Sequence, residues 1–384
     1  MPGAKINYPT KLEIYRSEIP TRGFSHAAAS RDKAEAVVVC QHFADGQAGW
    51  GETLPRPYVT GETLDSVLAD LQNHLWDPWV KWWSSQEACP DLAALTAAPA
   101  TQSPDGRCNL AARAVLEHSA LPALTLPPLA RRISARVSGV LGSADPDRTA
   151  RKLRQMRLIR LRDYKLKVGF GSDIDQANLA MVCRQLGRCM KAGRCTLRVD
   201  ANGGWGIEET PHRVEEMARM GVCAVEQPVY VPAEKLVELS HRCPLPLIAD
   251  ESLLSFADAV TLAEAGDRIW WNVRIAKNGG PASALQLCRM ADEAGTTLVL
   301  GCMVGESSLL SACQRALLQW GACPRFVEGN YGRFLLKGDL TRRSLTFGLG
   351  GRLRALRPAG LIRQHPSGRA LANRMTHIAT LQSE

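Results

Sequence analysis

Apolar positions along the chain change period as it proceeds. From Lys11 they alternate, through Leu12-Glu13-Ile14-Tyr15, Ala36-Val37-Val38-Val39 and Gly49-Trp50-Gly51. This predicts antiparallel strands with a hairpin turn at Asp45-Gly46. Residues 63–76 and 109–121 carry helical spacing, so the first part of the chain reads as an α+β unit. From residue 133 short apolar runs recur, with amphipathic stretches such as 208–220 and 282–295 between them. Strands are expected at 133–141, 164–169, 195–202, 222–228, 245–252, 269–277, 296–303 and 325–330. No clear amphipathic helix follows residue 330. Eight strands with about seven intervening helices give an α/β pattern of barrel type.

Chemistry gathers at the ends of these strands. Asp200, Glu226 and Asp250 each follow a short apolar run and precede a polar break or turn, at spacings of 26 and 24 residues. That interval is one strand, one helix and two loops, and in a barrel such ends meet at one mouth. Three carboxylates without Cys or His suit a hard cation such as Mg²⁺, and neutralising their mutual repulsion calls for one. Lys165 and Lys167 lie two apart on the preceding strand and share a face. Arg274 lies 24 residues beyond Asp250. Lys277, three residues further on, is expected on the opposite strand face.

Lys-x-Lys, Asp-x-Asn, Glu-Gln-Pro, Asp-Glu-Ser and Lys-Asn-Gly-Gly, in that order, resemble the enolase superfamily, muconate lactonizing enzyme subgroup. The resemblance covers most of the chain. It implies a modified TIM barrel, (β/α)7β, with an α+β capping domain built from the N-terminal segment and the C-terminal tail. The expected division is a cap over residues 1–128, a barrel over 129–335 and a tail over 336–384 that completes the cap. The tail is arginine-rich, with a strand-like run at 344–347.

By the same resemblance Asp200, Glu226 and Asp250 hold Mg²⁺ (or Mn²⁺), oriented by Asn202 and Glu251. Lys167 is the acid/base, and Lys165 is its electrostatic companion. The reaction implied is removal of the proton next to a substrate carboxylate, giving a metal-stabilised enolate. Cap loops at 22–26 and 55–61 would set specificity, with His26, Arg56 and Tyr58 as substrate contacts. Glu306 and Glu328, after strands seven and eight, are further substrate-binding candidates, and a structural acid is the competing reading for each.

Arg274 departs from the subgroup, which usually carries a second lysine there. An arginine keeps its proton, so it is a poor shuttle but a good clamp for charge. The expectation is therefore a muconate cycloisomerase-like isomerase with one base, Lys167. An acid dehydratase or succinylbenzoate synthase-like lyase, an amino-acid or dipeptide racemase, and a catalytically inactive anion-binding barrel remain alternatives.

Composition narrows the class without naming a substrate. The chain has 384 residues, 45% hydrophobic and 22% charged, with a net charge of +9. That suits a soluble enzyme with an anionic substrate. The basic stretch 151–167 has Leu153, Met156, Leu158 and Ile159 on its other face, so it reads as a barrel helix and not as a nucleic-acid surface. Four tryptophans within residues 75–83 read as cap packing or a subunit interface. Residues 96–107 read as a loop, and 124–132 as the linker into the barrel. Twelve scattered cysteines fit a reducing compartment, and residues 1–10 lack a signal-peptide core. The expectation is a cytoplasmic homo-oligomer, dimer or octamer, with a small-molecule carboxylate substrate and neither nucleic-acid nor membrane partners.

Overall fold

The computed structural model describes residues 7–26, 29–99, 108–362 and 364–383, without the side chains of 23–31 and 362. Three strands open the chain: β1 (Pro9–His26), β2 (Ala29–Phe43) and β3 (Ala48–Thr53). Gly46, with φ 83°, makes the turn between β2 and β3 and donates to Phe43 O. The alternating pattern puts Leu12, Ile14, Val37 and Val39 against the cap helices, and Trp76, Trp79 and Trp83 are buried in the same core. The tryptophan cluster is therefore packing.

The barrel strands are β4 (Gly139–Leu141), β5 (Asp163–Lys167), β6 (Thr196–Asp200) and β7 (Ala224–Glu226), then β8 (Leu247–Ala249), β9 (Ile269–Val273), β10 (Leu298–Leu300) and β11 (Phe326–Val327). They pair in parallel in strict sequence order, and a bridge from Val137 to Val327 brings the two ends of the sheet together. Seven helices fill the successive gaps: Pro146–Leu158, Ser172–Lys191, Thr210–Arg219, Ala233–Ser240, Phe256–Ala263, Pro281–Glu293 and Ser308–Gln319. The fold is a modified (β/α)7β barrel with an α+β cap. No helix among the described residues is long and apolar enough to cross a membrane.

A last strand, β12 (Met375–Gln382), returns to pair antiparallel with β1, so the cap sheet has the order β12-β1-β2-β3. Its exposed edge position explains why its sequence pattern was weak. The run 344–347 forms no strand. Residues 22–26, expected as a loop, continue β1 after an irregularity between Pro20 and Phe24. In the expected loop 96–107, Ala94–Ala97 form a 3₁₀ turn, and 100–107 lie outside the described residues.

Cap and barrel are joined by buried carboxylates. Glu52 accepts from Ser307 N (3.0 Å) and Ser307 Oγ (2.6 Å) at the start of the last barrel helix. Glu117 accepts from Ala282 N (3.0 Å) at the start of the one before. Each supplies an acceptor to N–H groups that have no partner inside their helix.

Candidate active site

Side chains alternate along each barrel strand, so every second residue points inward. At one level Ala224, Ile248, Trp270, Val299 and Phe326 pack together as an apolar plug. Two residues further along these strands come Glu226, Asp250, Asn272, Gly301 and Glu328, and then Arg274. Gly301 is required by close approach, because a Cβ there would stand 2.2 Å from Asn272 Oδ1. Lys167 and Asp200 are register partners, as are Asp200 and Glu226, so these groups meet side by side.

Lys165 is the hub of the buried charges. Its Nζ lies 3.0 Å from Glu226 Oε1, 2.6 Å from Glu328 Oε2 and 3.4 Å from Asp200 Oδ2. Burial works against its charge, but Glu226, Glu328 and Asp200 outweigh it and raise the pKa above the ordinary lysine value. Lys167 sits nearer the opening, its side chain 11% exposed against 2% for Lys165. Its Nζ contacts Asp200 Oδ2 (3.1 Å) and donates to Asn202 Oδ1 (2.9 Å). Burial raises the pKa of Asp200, but Lys167 and Lys165 win and hold it below the ordinary value. Burial raises Glu226, only partly offset by Lys165. Glu328 ends lowered, because Lys165 and Arg198 (3.1 Å) overcome its burial.

Arg274 donates to Asp250 Oδ2 and stands 3.6 Å from Glu226 Oε1. Arg274, Lys165 and Lys167 thus stand as counter-charges to these carboxylates. Lys277 is a correction. β9 ends at Val273, the chain turns, and Lys277 Nζ donates to Asp250 O (2.6 Å), Asp250 Oδ1 (3.0 Å) and Asn272 O (2.8 Å). Strand alternation no longer applies past that turn. Burial and Arg274 lower the pKa of Lys277, whereas three oxygen acceptors take all three protons. The acceptors hold the proton, and Lys277 acts as a structural cation.

Asp200, Glu226 and Asp250 remain a suitable donor set for a divalent cation. All three are fully buried, and Asp200 Oδ2 accepts no hydrogen bond although the Nζ atoms of Lys165 and Lys167 stand near. Both Glu251 oxygens are buried without a partner, and burial followed by Asp200 pushes its carboxyl up to about 7. Gln227, in left-handed backbone at φ 36°, accepts from Asp250 N (2.9 Å) and Ser252 N (3.1 Å), which fixes the third acid. A tighter group among the described residues is Glu13, Cys40 and His42 on the cap, whose ligand atoms all lie within 4.8 Å of one another. There Lys11 Nζ already lies 3.0 Å from Glu13.

A cavity of about 370 Å³ opens onto Lys165, Lys167, Arg274, Glu306, Glu328 and Tyr331. Glu306 accepts from Met303 N (2.6 Å), and burial raises its carboxyl to about 8. Arg56 and Tyr58 do not line this cavity. Arg56 donates to Pro55 O (2.8 Å) and Val304 O (3.2 Å), tying the cap loop to the barrel. Tyr58 lies on the short helix Pro57–Thr60. The side chain of His26 lies outside the described residues. Arg198, Asn272, Gln227 and Tyr331 went unread in the sequence; Arg198 and Asn272 sit two residues before Asp200 and Arg274, a spacing that signals a shared inward face.

Comparison with known proteins places the chain in a family of this fold. The sequence profile of the family described as Enolase C-terminal domain-like matches residues 148–360. The chain is 32% identical over 198 residues to muconate cycloisomerase 1 of Pseudomonas putida, covering 50% of this chain and about half, 52%, of that protein. It is 30% identical over 277 residues to a hydrophobic dipeptide epimerase of Roseobacter litoralis, covering 69% of this chain and 74% of the relative. The N-succinyl Arg/Lys racemase structure from Bacillus cereus superposes with a TM-score of 0.80 at 21% identity, over 98% of this chain and 100% of the other, a likeness of fold.

Proposed function

The chain belongs to the enolase superfamily, in the muconate lactonizing enzyme and mandelate racemase group, and on that premise we propose that it is a one-base isomerase acting next to a substrate carboxylate. The observation that carries this reading is the asymmetry of the two faces of the mouth. On one side Lys167 faces the cavity from β5. On the other stands Arg274, whose guanidinium keeps its proton.

Asp200, Glu226 and Asp250 would hold a divalent cation, which when bound would supply positive charge beside the substrate carboxylate and so acidify the adjacent C–H. As the free amine, Lys167 Nζ takes that proton, becoming the ammonium, and later returns it, with Asn202 Oδ1 and Asp200 Oδ2 fixing its position. Lys165, locked among three carboxylates, remains a fixed positive charge. Arg274 holds negative charge on the opposite face without moving a proton. Gln227 and Lys277 orient Asp250. Relatives named as epimerases and racemases move protons on both faces of a carbon by name. The single base here favours a cycloisomerase-like reaction, with a carboxylate lyase as the second product class of the same chemistry.

The test is solvent exchange. A panel of α-substituted carboxylates and unsaturated diacids is incubated in D₂O with Mg²⁺ and followed by proton NMR. Exchange of the α-hydrogen with retention is expected from the wild type, and loss of about 10²–10⁴-fold in Lys167→Ala. Exchange that survives in Lys167→Ala, or none with any acid, removes the proposal.

A further inference from the structure

The cavity does not stop at the reactive groups. Beyond Tyr331 it continues along the flank of the barrel, between Met156 of the first barrel helix with Ile159 just after it, and Phe334, Leu335 and Phe347 of the chain after β11. This is the flank that the helix after an eighth strand would cover. Here β11 leads only into the 3₁₀ turn Gly332–Phe334, so a gap is left. An aromatic series lines it. The Tyr331 ring lies 5.9 Å from Phe347, which lies 5.2 Å from Phe334. Tyr331 is also anchored inside the barrel, its hydroxyl donating to Ser138 O at 2.9 Å.

The outer end of the crevice leaves apolar surface in water. Phe334 is 50% exposed, Ile159 36%, Leu158 79% and Leu349 58%. Gly350 N donates to Ile159 O at 2.8 Å, which places Leu349 beside the end of the first barrel helix. Four of the nine exposed large apolar side chains among the described residues thus stand on this one flank. The wall bearing Phe334 is held by the cap: Arg22 N donates to Leu335 O (2.8 Å) and Arg22 Nε to Arg333 O (3.1 Å). A preformed apolar crevice with a few polar groups at one end is the usual form of a small-molecule site.

We propose that this crevice is a subsite for the apolar arm of the substrate. The preferred substrate is then a carboxylate bearing an aryl or branched-alkyl arm beyond the carbon that loses its proton, an inference that rests on the proton-abstraction reading above. The carboxylate end meets the charged mouth, and the arm passes Tyr331 to lie between Met156 and Phe347. Continuity with the reactive lysines favours a small-molecule arm over a macromolecular partner, since a docked surface does not need a passage to Lys167.

The experiment titrates the full-length protein in Mg²⁺ with acetate, butyrate and 4-phenylbutyrate by calorimetry. Each buried methylene is expected to tighten binding about fourfold, and phenylbutyrate to bind at least about 100-fold more tightly than acetate. Met156→Trp, which fills the crevice, and Phe334→Ser, which strips its outer wall, should each lower that ratio at least tenfold. Phe334 is half exposed, so its variant tests the idea even where the tryptophan perturbs folding. α-Hydrogen exchange on the same acids is read separately. Exchange without any dependence of binding on the arm overturns the subsite alone, and arm-dependent binding without exchange on any acid overturns the chemistry. A change of oligomeric state in Phe334→Ser with an unchanged ratio assigns the flank to a subunit contact and also overturns the subsite.

Discussion

Arg274 and Asp250, one residue past the ends of adjacent strands, form a buried ion pair in which the Arg274 guanidinium donates to a carboxylate proposed as a metal ligand. The same guanidinium lies 3.6 Å from Glu226. One side chain therefore meets both acids, and in the proposed one-base reaction it stands on the face opposite Lys167.

Restoring that carrier should change stereochemistry. Arg274→Lys keeps a positive charge beside Asp250 but places a titratable amine opposite Lys167. Chiral chromatography of an exchanged substrate should show racemisation in the variant and retained configuration in the wild type. Racemisation by the wild type would end the one-base account.

If the three acids hold a metal, Arg274 should compete with it for Asp250. Mg²⁺ should raise Tm, EDTA should reverse the rise, and Glu226→Gln should abolish it. Removing the competing cation in Arg274→Met should tighten Mg²⁺ about tenfold or more, since two unit charges near 4 Å interact by about 4 kcal/mol at an effective dielectric of 20. Weaker Mg²⁺ binding by that variant, measured calorimetrically, would show that Arg274 supports the metal site.

The two lysines should fail in different ways. Lys165→Met leaves Glu226 and Glu328 buried without their central cation and should cost about 3–5 kcal/mol of stability. Lys167→Met, at the more open position, should lose activity with a much smaller stability loss. Equal denaturation midpoints for the two variants would contradict the assignment.

Glu306 should make stability depend on pH. Burial raises its folded pKa to about 8 from an ordinary 4.5, against the Met303 N–H that opposes the shift. The folded protein thus binds the proton more tightly. This contribution is complete below the unfolded value and is lost as pH rises through the folded one. Part of the side chain faces the cavity, so the effect is of order 2 kcal/mol. Denaturation of wild type and Glu306→Gln at pH 5 and pH 8.5 should show a smaller loss of stability with rising pH in the variant, since Glu251 and other buried carboxyls keep part of the slope; parallel slopes refute it.

Glu52 should govern the hold of the cap on the barrel. Glu52→Ala leaves Ser307 N and Oγ and Leu310 N without their acceptor and should cost about 2–4 kcal/mol. Limited proteolysis should then cut between cap and barrel sooner than in the wild type.

The barrel was legible because its signal is local. Each strand is short and apolar, each acid ends one, and the interval between acids is set by one βα unit, so Asp200, Glu226 and Asp250 could be placed before any coordinates. Arg198 and Asn272 were missed because their burial depends on the closed barrel, although alternation from Asp200 and Arg274 points to them. Lys277 was misplaced because a strand rule was carried past the turn at Arg274. Leu158 and Ile159, placed on the apolar face of the first barrel helix, are exposed. β12 gave little warning because an edge strand half in solvent needs no strong alternation.

The pairing of β1 with β12 also orders events on the ribosome. Lys11 meets Gln382, a partner made some 370 residues later. The edge of β1 from Lys11 to Ser17 must wait, unpaired, until Met375–Gln382 have been made. An open edge of that length invites other chains. Yield in the cell should therefore fall more steeply with slowed translation or raised expression than the stability of the finished molecule would suggest.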